Sequence, residues 1–305
     1  MALKDPAKVV EMVVNCMQNQ ADEAGITKTE IDISGGIDSA VVAALACEAF
    51  GPKNVIGVYS SVNSSEESKR LAKLVADSCG CYFIELELSR VYTMILSEVR
   101  SGLSRAGIDL PDMNDQRTRT IFGSLRSCLR APVGRFVNRC FGGGLRQGTG
   151  NRDEDELLRF YQKGGDGEVD CNWIAGLFKS EVWELAEYLK VPQEVINAKP
   201  TPDLWGVGND HNDEDELSRI MGVPMTYTRP GGPMGTIEWA SRENEKNGCI
   251  TGKNDDIDDL SVLGYDEEQC KILEAVRHME KVTRHKALTP PYLDRQTLIN
   301  SGAIT

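Results

Sequence analysis

The chain has 305 residues, 40% of them hydrophobic and 27% charged, which suits one large globular domain or two small ones and excludes a disordered or fibrous protein. Thirty-four basic residues against 47 acidic ones leave a net charge of −13, so nucleic acid is not an expected partner. No stretch approaches the roughly 20 apolar residues needed to cross a bilayer, and no signal peptide is evident, so no membrane association and a cytoplasmic location are expected.

The first helix starts at Asp5-Pro6, a cap followed by a first-turn proline, and carries Val10, Val13, Val14, Met17 and Ala21 at helical spacing. Thr29 to Ile33 reads as a strand, Asp38 to Phe50 as a small-residue helix closed by Gly51, and Asn54 to Tyr59 as a second strand. Ser64 and Glu67 have the spacing of a capping box for a helix with Leu71, Leu74 and Val75 on its core face, and Tyr82 to Leu88 is a third strand. Strands alternating with helices imply an α/β fold, a parallel sheet flanked by helices. A helix near residues 89–105 precedes an arginine-rich segment, Arg117 to Arg146, in which Pro132 is expected to kink or break any long helix. That cluster suits a phosphate-bearing small molecule as easily as a polymer. Helices are expected over Asn151–Lys163, Phe178–Lys190 and Asp266–Thr283. Residues 205–263, rich in Gly, Asp, Asn and Pro, read as an extended loop region with little regular structure. The nine cysteines are scattered, with no C-x-x-C pair and no histidine at zinc spacing, as in a protein with reduced thiols.

Ser34-Gly35-Gly36-Ile37-Asp38-Ser39 is the strongest chemical signal. Two glycines between a strand and a helix let backbone amides converge on an anion at a helix N-terminus, where Ser34 and Ser39 add hydroxyl donors and Asp38 can hold a magnesium ion. The Gly-Lys-Ser/Thr ending of a Walker A loop is missing. The motif resembles the pyrophosphate loop of the ATP pyrophosphatase superfamily, whose members transfer AMP from ATP, but the loop alone does not choose among them. Gly148-Thr149-Gly150-Asn151-Arg152-Asp153-Glu154, Gly165-Asp166-Gly167-Glu168-Val169-Asp170, Gly176-Leu177-Phe178-Lys179, Lys199-Pro200-Thr201-Pro202-Asp203-Leu204-Trp205 and Arg284-His285-Lys286 follow in order. Together these blocks resemble the ammonia-dependent NAD synthetases over about residues 5–205 and 262–290.

The resemblance implies an adenine nucleotide alpha-hydrolase-like fold of the ATP pyrophosphatase type, one domain over 1–305 with an insertion at about 205–263. It also implies that no glutaminase domain is present, only about 30 residues preceding the loop. The implied reaction is amidation of deamido-NAD through an adenylate, with ammonia as nitrogen donor and release of AMP and pyrophosphate, in a homodimer. Carried over by position, ATP falls to Ser34, Gly35, Gly36, Asp38, Ser39, Thr149, Lys179 and Thr201, and Mg2+ to Asp38 and Glu154. Catalysis falls to Asp38, Lys179 and Asp166, and the dinucleotide substrate to Arg117, Asp166, Asp170, His285 and Lys286. Two departures stand out. Asp32 lies in the strand that feeds the loop, where burial without a partner is costly, so a partner or exposure is expected. The strand before Gly148 reads Gly142-Gly143-Gly144-Leu145-Arg146-Gln147 rather than apolar. Among other readings, the tRNA-directed relatives would show catalytic cysteines and a basic surface. A non-catalytic relative would lack Asp38, Glu154 or Lys179, and all three are present.

Overall fold

The computed structural model describes residues 3–112, 115, 118–201, 212–254, 256–301 and 303. Helix α1 (Pro6–Ala24) leads into strand β1 (Thr29–Asp32), helix α2 (Ile37–Phe50), β2 (Val55–Ser61), α3 (Glu66–Cys79) and β3 (Tyr82–Glu87). Asp5 caps α1 by accepting from Lys8 N, and Gly25 ends it at a positive φ of 66°. The cap of α3 is Ser65 rather than Ser64: its hydroxyl accepts from Ser68 N, while Glu67 instead pairs with Arg70 at 2.8 Å. Helices α4 (Ser89–Arg105) and α5 (Arg119–Phe141) then return the chain to β4 (Leu145–Gln147) on the far side of β1.

All three pairings are parallel, in the order β3-β2-β1-β4, with Thr29 opposite both Val55 and Leu145. The order reverses between β1 and β4, and in such sheets ligands bind outside the carboxyl ends of the strands at that reversal. α2 packs on β1 and β2, with α1, α3 and α7 (Lys179–Tyr188) against it. α5 packs against β1, β2 and β4. Of the expected kink or break, the break does not occur: Pro132 lies inside α5 without ending it, the lost backbone donor being outweighed by burial of the helix against three strands.

The helix expected over residues 151–163 is only α6 (Arg152–Asp155). Arg159 takes a positive φ of 45°, and Phe160 N reaches back to the carbonyl of Glu154, so the chain leaves the helical path there. After α7 and the short α8 (Gln193–Ile196), the described part of the supposed loop region holds two helices, α9 (Asp213–Met221) and α10 (Thr236–Asn247). Leu217, Met225, Tyr227, Ile237, Cys249 and Ile250 from this region join the same buried cluster as α1, α2 and α7. The chain closes with α11 (Glu267–Ala287) and α12 (Arg295–Asn300).

Asp32 has its partner. The Arg146 guanidinium on β4 pairs with Asp32 through Nη2, lies 3.5 Å from Glu30 through Nη1, and donates to the Ala131 carbonyl of α5 at 3.2 Å. Room for it comes from Gly134, where a Cβ would sit 1.8 Å from Arg146 Nη1. Asp170 accepts from Arg146 N at 2.8 Å and from Arg135 Nη1 at 2.5 Å, tying β4 to the loop beyond it. Glu30 is fully buried, and burial together with the Asp32 charge pushes its carboxyl up to about 8 against an ordinary 4.5. Between those values the folded chain keeps a proton that the unfolded chain has lost, so this group makes stability fall as pH rises from about 4.5 to about 8. Glu30→Gln is expected to flatten that part of the stability profile, measured by urea unfolding at pH 5 and pH 8; a profile as steep as that of the parent chain would contradict the assignment.

Candidate active site

A cavity of about 1360 Å³ opens beyond the carboxyl ends of β1 and β2. Its volume exceeds the usual ~300–1,000 Å³ of a site for one small ligand. The walls include Ser34 to Ser39, Thr149, Glu154, Asp166, Lys179, Thr201 and Lys286, so twelve of the sequence-expected residues or their loop neighbours face one space.

The glycine turn is built by close approach. Gly35 has a φ of 89°, and a Cβ there would lie 2.5 Å from the Ser68 carbonyl and 3.0 Å from Ala72 N on α3. Gly36 is the N-cap of α2 and no side chain caps the helix, so its first amides point toward the cavity mouth with the positive end of the dipole. Ser39 Oγ donates to the Gly36 carbonyl at 2.9 Å and accepts from Ser34 N at 3.2 Å, while Ser34 Oγ accepts from Gly36 N at 3.2 Å. The two hydroxyls lie 3.2 Å apart, and this local web holds the turn in shape.

Lys179 crosses the opening of that turn. Its ammonium lies 2.5 Å from Asp38 Oδ2 and 3.1 Å from Glu154 Oε1, and only 2% of the side chain is exposed. Asn151 Nδ2 donates to the other Asp38 oxygen at 3.0 Å, and Asn151 Oδ1 also caps α6 by accepting from Glu154 N at 3.2 Å. Asp153 fixes the start of α7 by accepting from Lys179 N at 3.0 Å. Tyr227, from the segment between α9 and α10, donates its hydroxyl to Glu154 Oε1 at 3.3 Å. Burial alone would lower the Lys179 ammonium, but Asp38, Glu154 and Asp213 override it and hold it well above its ordinary value. Glu154 is raised by burial and by the Asp38 charge, against the pull of Lys179. Asp213 is pushed up to about 7 by burial and the Glu154 charge.

Asp166 sits at the other side of the cavity, where its Oδ1 accepts from Ser127 Oγ at 2.8 Å and from Gln162 N at 2.7 Å. Between the two acidic groups lies Asp155, which accepts from Asn172 Nδ2 at 2.7 Å and is pushed up to about 7 by burial and the Glu154 charge. Lys286 donates to the carbonyls of Arg159 (2.9 Å) and Tyr161 (2.6 Å), bracing the turn that follows α6.

Asp170 and His285, expected at the substrate, are not among the described residues of the cavity wall. Asp170 is taken up by Arg135 and the backbone of β4, and exposed His285 has Nδ1 3.0 Å from the Val282 carbonyl on its own helix. Arg117, and the Pro202 to Trp205 end of the block that begins at Lys199, lie outside the described residues. Asn151 was legible, since it stands within Gly148–Glu154. Ser127, Asp213 and Tyr227 carried no sequence signal, because each reaches the site by long-range packing.

A parallel sheet with a glycine turn at its reversal, and a lysine held between carboxylates of two crossovers, defines an adenine-nucleotide-handling α/β protein of the ATP pyrophosphatase type. The model of the NAD synthase family matches residues 9–221, and the chain belongs to that family. It is 34% identical over 220 residues to the NH(3)-dependent NAD(+) synthetase of Methanosarcina acetivorans, covering 70% of this chain and 77% of that one. In fold it is similar to an NMN synthetase from Francisella tularensis (TM-score 0.69, 23% identity, 94% and 99% of the two chains). It is also similar in fold to an NH3-dependent NAD synthetase from Campylobacter jejuni (TM-score 0.67, 18% identity, 96% and 100%).

Removing the ammonium from between its carboxylates leaves uncompensated buried charge. Lys179→Met is expected to destabilise the chain by about 3–5 kcal/mol at pH 8 and by less at pH 5, where the raised carboxyls of Glu154 and Asp213 take up protons, read by urea unfolding at both pH values. Equal losses at both would mean that neither Glu154 nor Asp213 changes its protonation between the two pH values.

Proposed function

We propose that this chain is an ammonia-dependent NAD synthetase, converting deamido-NAD to NAD with ATP. The observation that carries the reading is the Asp38–Lys179–Glu154 cluster at the mouth of the glycine turn, in a chain of the NAD synthase family.

The turn, with Ser34, Gly35, Gly36 and Ser39, cradles the departing pyrophosphate, and the open amides of α2 offset its growing charge. Thr149 and Thr201 border the triphosphate. Lys179 faces the α-phosphate as the substrate carboxylate attacks it. The bond from the α-phosphorus to the bridging oxygen breaks, pyrophosphate leaves and an acyl-adenylate remains. Ammonia adds to the activated carbonyl, the carbon–oxygen bond to AMP breaks, and the amide forms with loss of one proton. A carboxylate resists ammonia because oxide is a poor leaving group; AMP is a good one. Asp166, oriented by Ser127 and Gln162 N, and Lys286 lie on the side of the cavity assigned to the dinucleotide.

The donor set fits a magnesium ion. Asp38 and Glu154 bring two hard carboxylates together at one ammonium, and since no three-carboxylate cage is present among the described residues, the ion would take its remaining ligands from phosphate and water. Asp38 and Glu154 would hold the ion, which when bound would neutralise charge on the phosphates. A homodimer is supported by the exposed apolar side chains Val91, Met94 and Val99 on α4 and Ile121 and Phe136 on α5. All nine cysteines are free, which supports a reducing, cytoplasmic setting, and among the described residues no helix is long and apolar enough to cross a membrane.

Incubation with ATP, magnesium, ammonium and deamido-NAD is expected to yield NAD, AMP and pyrophosphate in equal amounts, with at least ~100-fold loss of rate in Asp38→Ala. Pyrophosphate without NAD would refute the acceptor. Light scattering is expected to give twice the chain mass, falling toward the monomer in Phe136→Glu; a monomeric parent would refute the dimer.

A further inference from the structure

The segment between α9 and α10 reaches the centre of the site, and what it brings there is a phenol ring. Tyr227 is 3% exposed, and the Lys179 ammonium stands 5.2 Å from its ring centroid. That places the cation within range of the ring's negative face. The hydroxyl of the same ring donates to Glu154 Oε1 at 3.3 Å, so one side chain touches both members of the ion pair. Lys179 borders the cavity and Tyr227 is not among the described residues that do.

The ring is itself held. Tyr227 N donates to Glu214 Oε1 at 2.7 Å, and the other oxygen of Glu214 pairs with Arg229. The Arg229 guanidinium stacks 5.0 Å from the ring of Trp183, which lies on α7, the helix that begins with Lys179. α7 and the segment carrying Tyr227 are therefore latched together at two points, one at the lysine and one a turn further on.

We propose that Tyr227 is a positioning residue, whose ring face and hydroxyl keep the Lys179 ammonium aimed at the reacting phosphate. The proposal rests on the NAD synthetase reading for the identity of the reaction, though not for the contact. A lysine ammonium is a point charge on a flexible four-carbon stem and must be fixed from outside. Asp38 and Glu154 do this, but they are also the two carboxylates offered to the divalent ion. The ring face is the contact that does not compete with that ion. Because Tyr227 acts through Lys179 and away from substrate, its loss should lower turnover and leave nucleotide affinity alone.

The test compares the parent chain with Tyr227→Phe, Tyr227→Leu, Lys179→Ala and the Tyr227→Leu/Lys179→Ala pair. Tyr227→Phe keeps the ring and is expected to lower kcat by about 3–10-fold, and Tyr227→Leu by about 30–100-fold, with KM for ATP within about twofold of the parent in both. Calorimetric Kd for magnesium-ATP should likewise stay within about twofold. In the Lys179→Ala background the leucine change should cost less than about threefold further, since its target is gone. A rise in KM for ATP matching the fall in kcat/KM, parental kcat in Tyr227→Phe, or independent multiplication of the two losses would overturn the proposal.

A second measurement needs no turnover. Acetylation of Lys179 by acetic anhydride, followed by peptide mass spectrometry, is expected to be at least ~10-fold faster in Tyr227→Leu than in the parent, with Tyr227→Phe close to the parent. Unchanged labelling in Tyr227→Leu overturns the contact. If the parent makes no NAD from deamido-NAD, the assigned reaction fails, and the labelling result still decides the role of Tyr227. Should Tyr227→Leu not fold, the split between kcat and KM in Tyr227→Phe decides it.

Discussion

The arrangement of the site depends on one buried ammonium. Lys179 is the first residue of α7, a position where the helix dipole disfavours a cation. Its backbone amide is answered by Asp153 and its side chain by Asp38 and Glu154, which come from the start of α2 and from α6. Three segments far apart in sequence therefore meet at one charge. A buried ion pair is often no more stabilising than an apolar replacement, so stability gives little reason to keep such a cluster. The reason is chemical: Asp38 and Glu154 share one buried ammonium beside the glycine turn, and burial with the neighbouring charges perturbs both Lys179 and Glu154, as is common at functional sites.

A second charged cluster lies beneath the first. β1 is the central strand that feeds the turn, and it carries Glu30 and Asp32 where a parallel sheet covered on both faces usually carries Val, Ile or Leu. Arg146 on the neighbouring strand pairs with Asp32 and stands 3.5 Å from Glu30, and α5 gives up a side chain at Gly134 to admit the guanidinium. The polar strand before Gly148 and the acidic strand before Ser34 are thus one feature seen twice. Each would be unfavourable alone, and together they form a paired cluster at the reversal of strand order, next to the cavity.

The region after residue 211 shows how a segment outside the quoted motifs can enter a site. α9 and α10 add apolar side chains to the core around α2 and α7, and from that base Tyr227 reaches the lysine while Asp213 borders the cavity.

The parallel sheet and its glycine turn were legible in the chain itself, because they depend on local rules: alternation of strand and helix, helical spacing of apolar residues, and glycine where backbone must approach backbone. Glu154 and Lys179 were legible only through the resemblance of their ordered blocks to the family, since an acidic helix start or a single lysine has an ordinary structural reading when taken alone. Local rules misled where tertiary burial outweighed them. Pro132 sits inside a helix that three strands hold in place, and the region of weak periodicity around α9 and α10 folds because the existing core accepts its few apolar residues. Asp170 and His285 belonged to recognisable motifs, yet their side chains are taken up by Arg135 and by the carbonyl of Val282. Sequence by itself determined the alternating strands and helices of the first 90 residues and which chemistry is on offer. Only the tertiary structure decided which charges meet, since pairs such as Asp38 with Lys179, Asp32 with Arg146 and Glu154 with Tyr227 are made across more than 70 residues by packing that no local pattern encodes.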